Sequence, residues 1–438
     1  MDALEAWIDR QQGSSIEAML LSVSPVALVK DRPGFGQSVR ARRGAIVASP
    51  VLADWNPDPD YFFHWYRDSA IVVDALRLLH ESGALGASAL THVADFIDFS
   101  LALQQLDGRA LVAAPAWRQR VAADFTRFVR DDADLGGVHG GAVTAESRVN
   151  PDATLDISRW SRPQHDGPPL RALALLRWMA HLDPGAPCAP GAARLIRDDL
   201  AFTLANWQRP SFDIWEEELG LHYYTVRVAA AALHAGARWA QARGDALLAG
   251  AWRAEAAAAA RALDGFWCAE QGYYRSRLLA GGARSSKELD IAVILGAIHA
   301  PMVPGHGIED PRLQATLEHL EARFDADYAI NHGRPSAHGP ALGRYAGDVY
   351  FSGGAYYFST LGAAEFCYRS ARGAAAAAWK ARGDAYLATV RAHTPASGAL
   401  SEQFDQTTGA QTSARQLAWS HAAFLSSVAA RRQLGAGH

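Results

Sequence analysis

Apolar residues recur at helical spacing along nearly the whole chain, and few stretches show the period-two alternation of a half-buried strand. In residues 68–82, DSAIVVDALRLLHES, Ile71, Val72, Ala75, Leu76 and Leu79 fall on one helical face. Similar patterns predict helices near 2–21, 86–106, 168–183, 190–207, 221–243, 245–265, 287–299, 310–323, 355–371, 373–394 and 412–431, giving twelve in all. Asp183-Pro184-Gly185, Gly244 and Gly373 separate neighbours, as expected for antiparallel hairpins. The best strand signal is the segment GAIVASP at 44–50, and it is short.

Four long stretches interrupt the helical pattern: 22–66, 107–167, 324–354 and 395–411. Loops of this length are uncommon in a compact domain unless they build a site. Each holds aromatic or charged residues: Tyr61, His64 and Trp65, then Arg159 and Trp160, then Arg344 and Tyr345, then Glu402. Trp117, Val121, Phe125 and Phe128 recur at helical spacing inside the second stretch and predict a short extra helix there. No shift in composition marks a linker, so residues 1–438 read as one domain. Twelve antiparallel helices with long loops between pairs fit a closed ring of six helical hairpins. A plain bundle or a solenoid is the alternative, and the lack of a 33–45-residue repeat weakens the solenoid.

Composition narrows the function class. Of 438 residues, 49% are hydrophobic and 20% charged, the balance of a globular chain and not of a disordered one. A net charge of −4 gives no overall field that would favour nucleic acid or an anionic membrane. No apolar run reaches the length of a membrane span of roughly 18 residues. Cys188, Cys268 and Cys367 are too few and too widely spaced for a disulfide framework or a CxxC metal site. The start, MDALEAWIDRQQ, lacks the basic and apolar regions of a signal peptide, so a reducing cytoplasm is the expected compartment. There is no HExxH, no GxxxxGK[ST], no strand-linked GxGxxG and no GxSxG elbow.

Five segments could carry chemistry. Asp213-Ile-Trp-Glu216-Glu217-Glu218 places three carboxylates beside a Trp, and like charges and an apolar ring both raise a carboxyl pKa, as a general acid near neutral pH needs. Its bland reading is an acidic helix N-terminus. Ser401-Glu402-Gln403-Phe404-Asp405 offers the second carboxylate that glycosidic cleavage requires, although a lone loop Glu is usually surface. Tyr61-Phe-Phe-His-Trp65-Tyr-Arg67-Asp68 joins an Arg-Asp pair to an aromatic run, which suits sugar hydroxyls and the apolar sugar face; Asp68 as a helix N-cap is the alternative. Trp160-Ser-Arg-Pro-Gln-His-Asp166 and Arg344-Tyr345-Ala-Gly-Asp348-Val-Tyr350 share that composition, with Asp166 before Pro168 reading most simply as a cap.

Taken in order, these segments resemble glycoside hydrolase family 15, the glucoamylases. The similar stretches are GAIVASP (44–50), DYFFHWYRDSAIV (60–72), WSRPQHDGPPLRA (160–172), FDIWEEELG (212–220), GRYAGDVYFSGGAYYFSTLGAAE (343–365) and LSEQFDQTTGAQTSARQLAWS (400–420). KELDIAVILGAIH (287–299) is similar as well. The resemblance implies an all-α (α/α)6 barrel, in agreement with the helix count. It implies that Glu216 is the general acid and Glu402 the general base, with Tyr61 beside the base and the attacking water. Arg67, Asp68 and Arg344 would hold the non-reducing glucose. Trp65, Trp160, Glu217 and Trp419 would complete the pocket, and Asp213 would be a supporting acid.

The chain departs from the family pattern at Gly354-Ala355-Tyr356, where Asn-Pro-Trp is usual, and in a longer 107–158 loop. No starch-binding module and no N-terminal β-sandwich domain is expected.

The reading is an exo-acting, inverting α-glucosidase acting on an α-glucan or oligosaccharide, with no metal or organic cofactor and no nucleic-acid or membrane partner. Activity on α-1,6 linkages or trehalose lies within the same resemblance. A phosphorylase would replace the base with phosphate, which the retained Glu402 opposes. A non-catalytic glucan-binding protein would tolerate the loss of either Glu, and both are kept.

Overall fold

The computed structural model describes residues 3–434. Among the described residues it contains fourteen α-helices. They are α1 (Ala3–Leu20), α2 (Tyr66–Glu81), α3 (Ser88–Leu103), α4 (Gly108–Ala113), α5 (Asp132–Gly137), α6 (Gly167–Trp178), α7 (Ala189–Asn206), α8 (Tyr223–Ala242), α9 (Ala246–Ala262), α10 (Ala292–His299), α11 (Pro311–Asp327), α12 (Tyr357–Ser370), α13 (Ala376–Ala392) and α14 (Ala418–Gln433). Twelve follow the predicted pattern; Asp2, predicted to begin the first, lies outside the described residues. The other two, α4 and α5, are six-residue helices in the 107–167 stretch.

Burial sorts the twelve into two layers. α8 buries every residue from Tyr223 to Leu233, and α12 every residue from Tyr357 to Tyr368. A helix apolar all round belongs inside a large core. By contrast α9 buries a stripe of Trp252, Ala256, Ala259 and Ala260, and α11 one of Leu313, Leu317, Leu320 and Phe324. The inner helices close on themselves: α2 packs on α6, α6 on α8, α8 on α10, α10 on α12, α12 on α14, and α14 back on α2. Outside them α1 covers α14, α3 covers α2, α7 covers α6, α9 covers α8, α11 covers α10 and α13 covers α12. This is the predicted (α/α)6 barrel. Glycine permits close approach within the inner ring: a Cβ on Gly362 of α12 would stand 2.6 Å from Leu295 of α10.

The connections are unequal. Those from an inner helix to the following outer one are short, as at 243–245 between α8 and α9. Those from an outer helix to the next inner one are long: 21–65, 104–166, 207–222, 263–291, 328–356 and 393–417. All six long segments therefore arrive at the N-terminal ends of the inner helices, on one rim of the ring.

Three local predictions are corrected. GAIVASP forms no strand, because its backbone is shared between neighbours: Val47 N donates to Ser22 O, Ala48 N to Phe63 O and Ser49 N to Tyr61 O. The extra helix expected around Trp117–Phe128 is two 3₁₀ turns, Pro115–Arg120 and Ala123–Phe128. Phe128 stays 45% exposed, so no buried apolar face holds this stretch in a longer α-helix. The last helix begins at Ala418 and not at 412, since Gln411–Thr412 pairs as a strand with Gln403–Phe404.

A buried bidentate pair locks one inner helix to its cover. Arg171 of α6 donates from Nε to Asp199 Oδ2 at 2.8 Å and from Nη2 to Oδ1 at 2.7 Å across to α7. Removing one partner strands a buried charge, which typically costs about 3–5 kcal/mol. Asp199→Ala should therefore lower stability by about that much in denaturant titration, whereas the double variant Arg171→Met/Asp199→Leu should recover most of the loss.

Candidate active site

The rim of long segments encloses a cavity of about 550 Å³. Tyr61, Trp65, Arg67, Asp68, Trp160, Glu216, Glu217, Arg344, Glu402 and Trp419 all line it. These include both predicted catalytic carboxylates and every predicted binding residue except Asp213.

Glu216 sits in a tight loop between two short paired strands, Ser211–Phe212 and Leu219–His222. The acidic run is thus a hairpin loop and not a helix N-terminus, because a strand separates it from α8. Asp213 holds the loop together: its Oδ1 accepts from Glu217 N at 2.7 Å, and its Oδ2 from Arg277 Nη1 at 2.9 Å. It lies behind the cavity wall and supports the site without lining it. Glu216 itself adopts φ +66°, a left-handed conformation uncommon for a side-chain-bearing residue. That backbone turns its carboxylate toward two indoles, Trp65 Nε1 donating to Oε1 at 2.7 Å and Trp160 Nε1 to Oε2. Burial pushes the Glu216 pKa up, against the pull of Arg67 and Arg148.

Glu402 arrives from another direction. It precedes Gln403–Phe404, the middle strand of a three-stranded sheet with Ala355–Tyr356 and Gln411–Thr412. Its backbone is pinned on both sides, Glu402 N donating to Ala414 O and Tyr357 N to Glu402 O. Tyr61 Oη donates to its Oε1 at 3.3 Å, and Ser413 Oγ donates to its Oε2. Tyr61 Oη also lies 2.8 Å from Tyr350 Oη. Burial is the largest influence on Glu402 and pushes its pKa up to about 7.

Arg67 and Asp68 occupy the first turn of α2, whose N-cap position is Trp65 with no side-chain cap. Asp68 is therefore not the cap. Its carboxylate lies 3.1 Å from Arg67 Nη2, while Arg67 Nη1 donates to Asp166 Oδ2 at 3.2 Å. Asp166 stands at the N-cap position of α6, yet its side chain makes no cap and serves Arg67 instead. Arg344 grips Asp348 with two hydrogen bonds of 2.7 and 2.6 Å and Glu217 with a third of 3.0 Å. Glu217 also accepts from Lys287 Nζ at 2.7 Å. Trp419 stacks on Phe358 with ring centres 4.2 Å apart, making an apolar floor.

Among the described residues, Arg67 Nε and Trp419 Nε1 are buried without a hydrogen-bond partner, and Asp68 Oδ2 meets only Arg67 Nη2. Buried polar groups are nearly always paired, so unpaired ones on residues lining one cavity suit a ligand with many hydroxyls.

Some contributors were not assigned to the site from the sequence. Tyr350 and Asp166 stand inside quoted segments, but their partners come from distant loops. Ser413 carries no sequence signal, since its role depends on a strand turn that aims it at Glu402. Arg148 lies 3.6 Å over the Trp160 ring and 4.9 Å from that of Trp65, fixing both indoles that hold Glu216. The pairing of His64–Trp65 with Arg148–Val149 brings it there.

Known proteins are similar to this chain in sequence and fold. The chain is 26% identical to glucoamylase 1 of Rhizopus oryzae over 98% of its own length and 71% of that relative. It is 29% identical to a glucoamylase of Neurospora crassa over 89% of its length and 64% of that relative. It therefore spans about two thirds of the length of these curated relatives. The solved glucoamylase structure of Hormoconis resinae superposes with a TM-score of 0.78 at 27% identity, covering 98% of this chain and 74% of that one. Residues 145–381 and 372–429 match the model of glycosyl hydrolases family 15, well over half of the chain and including both carboxylates, and on that match the chain belongs to this family.

Proposed function

We propose that the chain is an exo-acting, inverting α-glucoside hydrolase that releases β-D-glucose from the non-reducing ends of α-glucans or malto-oligosaccharides. One observation carries the reading: two carboxylates from separate loops line one cavity, each held by its own donors, beside buried polar groups that lack partners. Glu216 would give its proton to the glycosidic oxygen, and burial favours its protonated form. Glu402 would take a proton from a water on the opposite face of the sugar, with Tyr61 and Tyr350 hydroxyls beside it. Arg67 and Asp68 would hydrogen-bond the terminal glucose over the floor of Trp419 and Phe358. Because the inner helices close the ring beneath this floor, a polymer would enter by its end.

Stereochemistry tests the whole assignment. Proton NMR during early turnover of maltose should show β-glucose first, and an initial α-anomer would overturn inversion. Glu216→Gln and Glu402→Gln should each lower kcat by about 10²–10⁴-fold while keeping the fold. A substrate with an activated leaving group should partly rescue only Glu216→Gln.

Asp68→Asn should lower kcat/KM by about 10–100-fold, the worth of a hydrogen bond to a charged group. Its melting temperature should stay nearly unchanged, because Asp68 caps no helix. Full activity in this variant would remove Asp68 from the sugar site.

The acid limb of the pH profile follows from Glu402. It works ionised, so kcat/KM should fall as pH drops through its pKa, which burial pushes up to about 7. The Ser413 hydroxyl stabilises the charged form. Ser413→Ala should therefore raise that pKa and move the acid limb to higher pH by about half a unit.

A further inference from the structure

A second cavity of about 550 Å³ adjoins the first, and Arg159 and Trp160 line both. Its walls come from the 29–40 hairpin and from the 107–158 excursion, most of which lies N-terminal to the residues that match the family model. Phe35, Phe125 and Phe128 form an edge-to-face chain along one wall, with ring centres 5.3 and 6.0 Å apart. Trp55 faces the same cavity from the rim, 53% exposed and held at φ +74°. The wall is a built feature: a Cβ on Gly34 would stand 2.4 Å from the Phe125 ring, so the glycine makes room for it.

Six of the charged groups lining this cavity are already paired with one another, and Arg159 Nε is taken by Val129 O. Lys30 pairs with Asp54, Arg32 Nε with Asp60 at 2.6 Å, and Arg148 Nε with Asp156 at 2.9 Å. Exposed aromatic surface combined with largely engaged charged groups suits an apolar ligand better than a sugar, many of whose hydroxyls would go unpaired. The position identifies which part of a substrate would reach it. Trp160 donates to Glu216 with its ring nitrogen and forms the partition between the cavities. A leaving group that takes its proton from Glu216 would therefore lie beside this partition.

We infer that the second cavity receives the apolar portion of the leaving group, so that α-glucosides of apolar alcohols are substrates of this enzyme. The inference rests on the hydrolase reading above. In the reaction, the bond from glucose C1 to the glycosidic oxygen breaks and Glu216 supplies the proton that releases the alcohol. Water supplies the new hydroxyl on C1 and its other proton passes to Glu402, giving β-glucose and the free alcohol.

The test compares methyl and octyl α-D-glucopyranoside, the latter below its micelle concentration, with maltose and maltotetraose. The octyl glucoside should show a KM at least about tenfold below the methyl one, from burial of its added methylenes. Phe125→Ala/Phe128→Ala should erase that advantage while leaving methyl glucoside and maltose kinetics within about twofold. Equal KM values for methyl and octyl glucosides in an active enzyme would overturn the inference. So would a KM that falls from maltose to maltotetraose and loses that gain in the double variant, which would make the cavity a glucan site. If no α-glucoside is hydrolysed, the hydrolase reading fails. Calorimetric titration with the two alkyl glucosides then decides the cavity alone, with equal affinities overturning it and tenfold tighter octyl binding supporting it.

Discussion

The contact of α14 with α2 closes the ring, and the rest of the structure depends on it. Without closure the six inner helices would be a curved row with two open apolar edges. With it, each inner helix is enclosed by two ring neighbours and an outer cover. Closure also fixes where the loops go. Alternation between inner and outer helices makes every inner helix start at the same rim, so six long segments far apart in the chain become neighbours. Glu216 and Glu402 meet in one cavity for this reason.

Once the loops are gathered, the main physical problem is charge in a poorly solvated space. The site answers it with arginines that each serve several acids. Arg277 binds Asp213, Glu218 and Asp290, and Arg344 binds Asp348 and Glu217. The two reactive carboxylates are treated differently. Glu216 is held chiefly by indole N–H groups and Glu402 by hydroxyls, so both remain dominated by burial and shifted upward. Carboxylates that can hold a proton near neutrality are what acid–base cleavage of a glycoside needs.

Departures from simple local rules cluster at this rim. Glu216 at φ +66° and Ser413 at φ +64° are left-handed without being glycine, and both are tied directly to the pocket. Asp68 and Asp166 stand where caps are expected and cap nothing, because their carboxylates are committed to Arg67. The surrounding ring, densely packed and buried, holds these conformations in place.

Apolar periodicity by itself determined the twelve barrel helices, their antiparallel order and the existence of long functional segments, because the burial of a helix face leaves a pattern within one element. The order of motifs along the chain likewise pointed to the two carboxylates and most of the pocket. What only the tertiary structure decided was pairing between elements. Asp213 became a brace behind the wall, Asp68 and Asp166 turned from caps into partners of Arg67, and Ser413 and Arg148 entered the site without any local signature. GAIVASP became a tie across the 21–65 segment instead of a strand, and the Trp117–Phe128 stretch became 3₁₀ turns bordering a second cavity. Arg277 lies 64 positions from Asp213 and Arg67 lies 99 from Asp166, and local periodicity cannot encode a contact that exists only after the ring has closed.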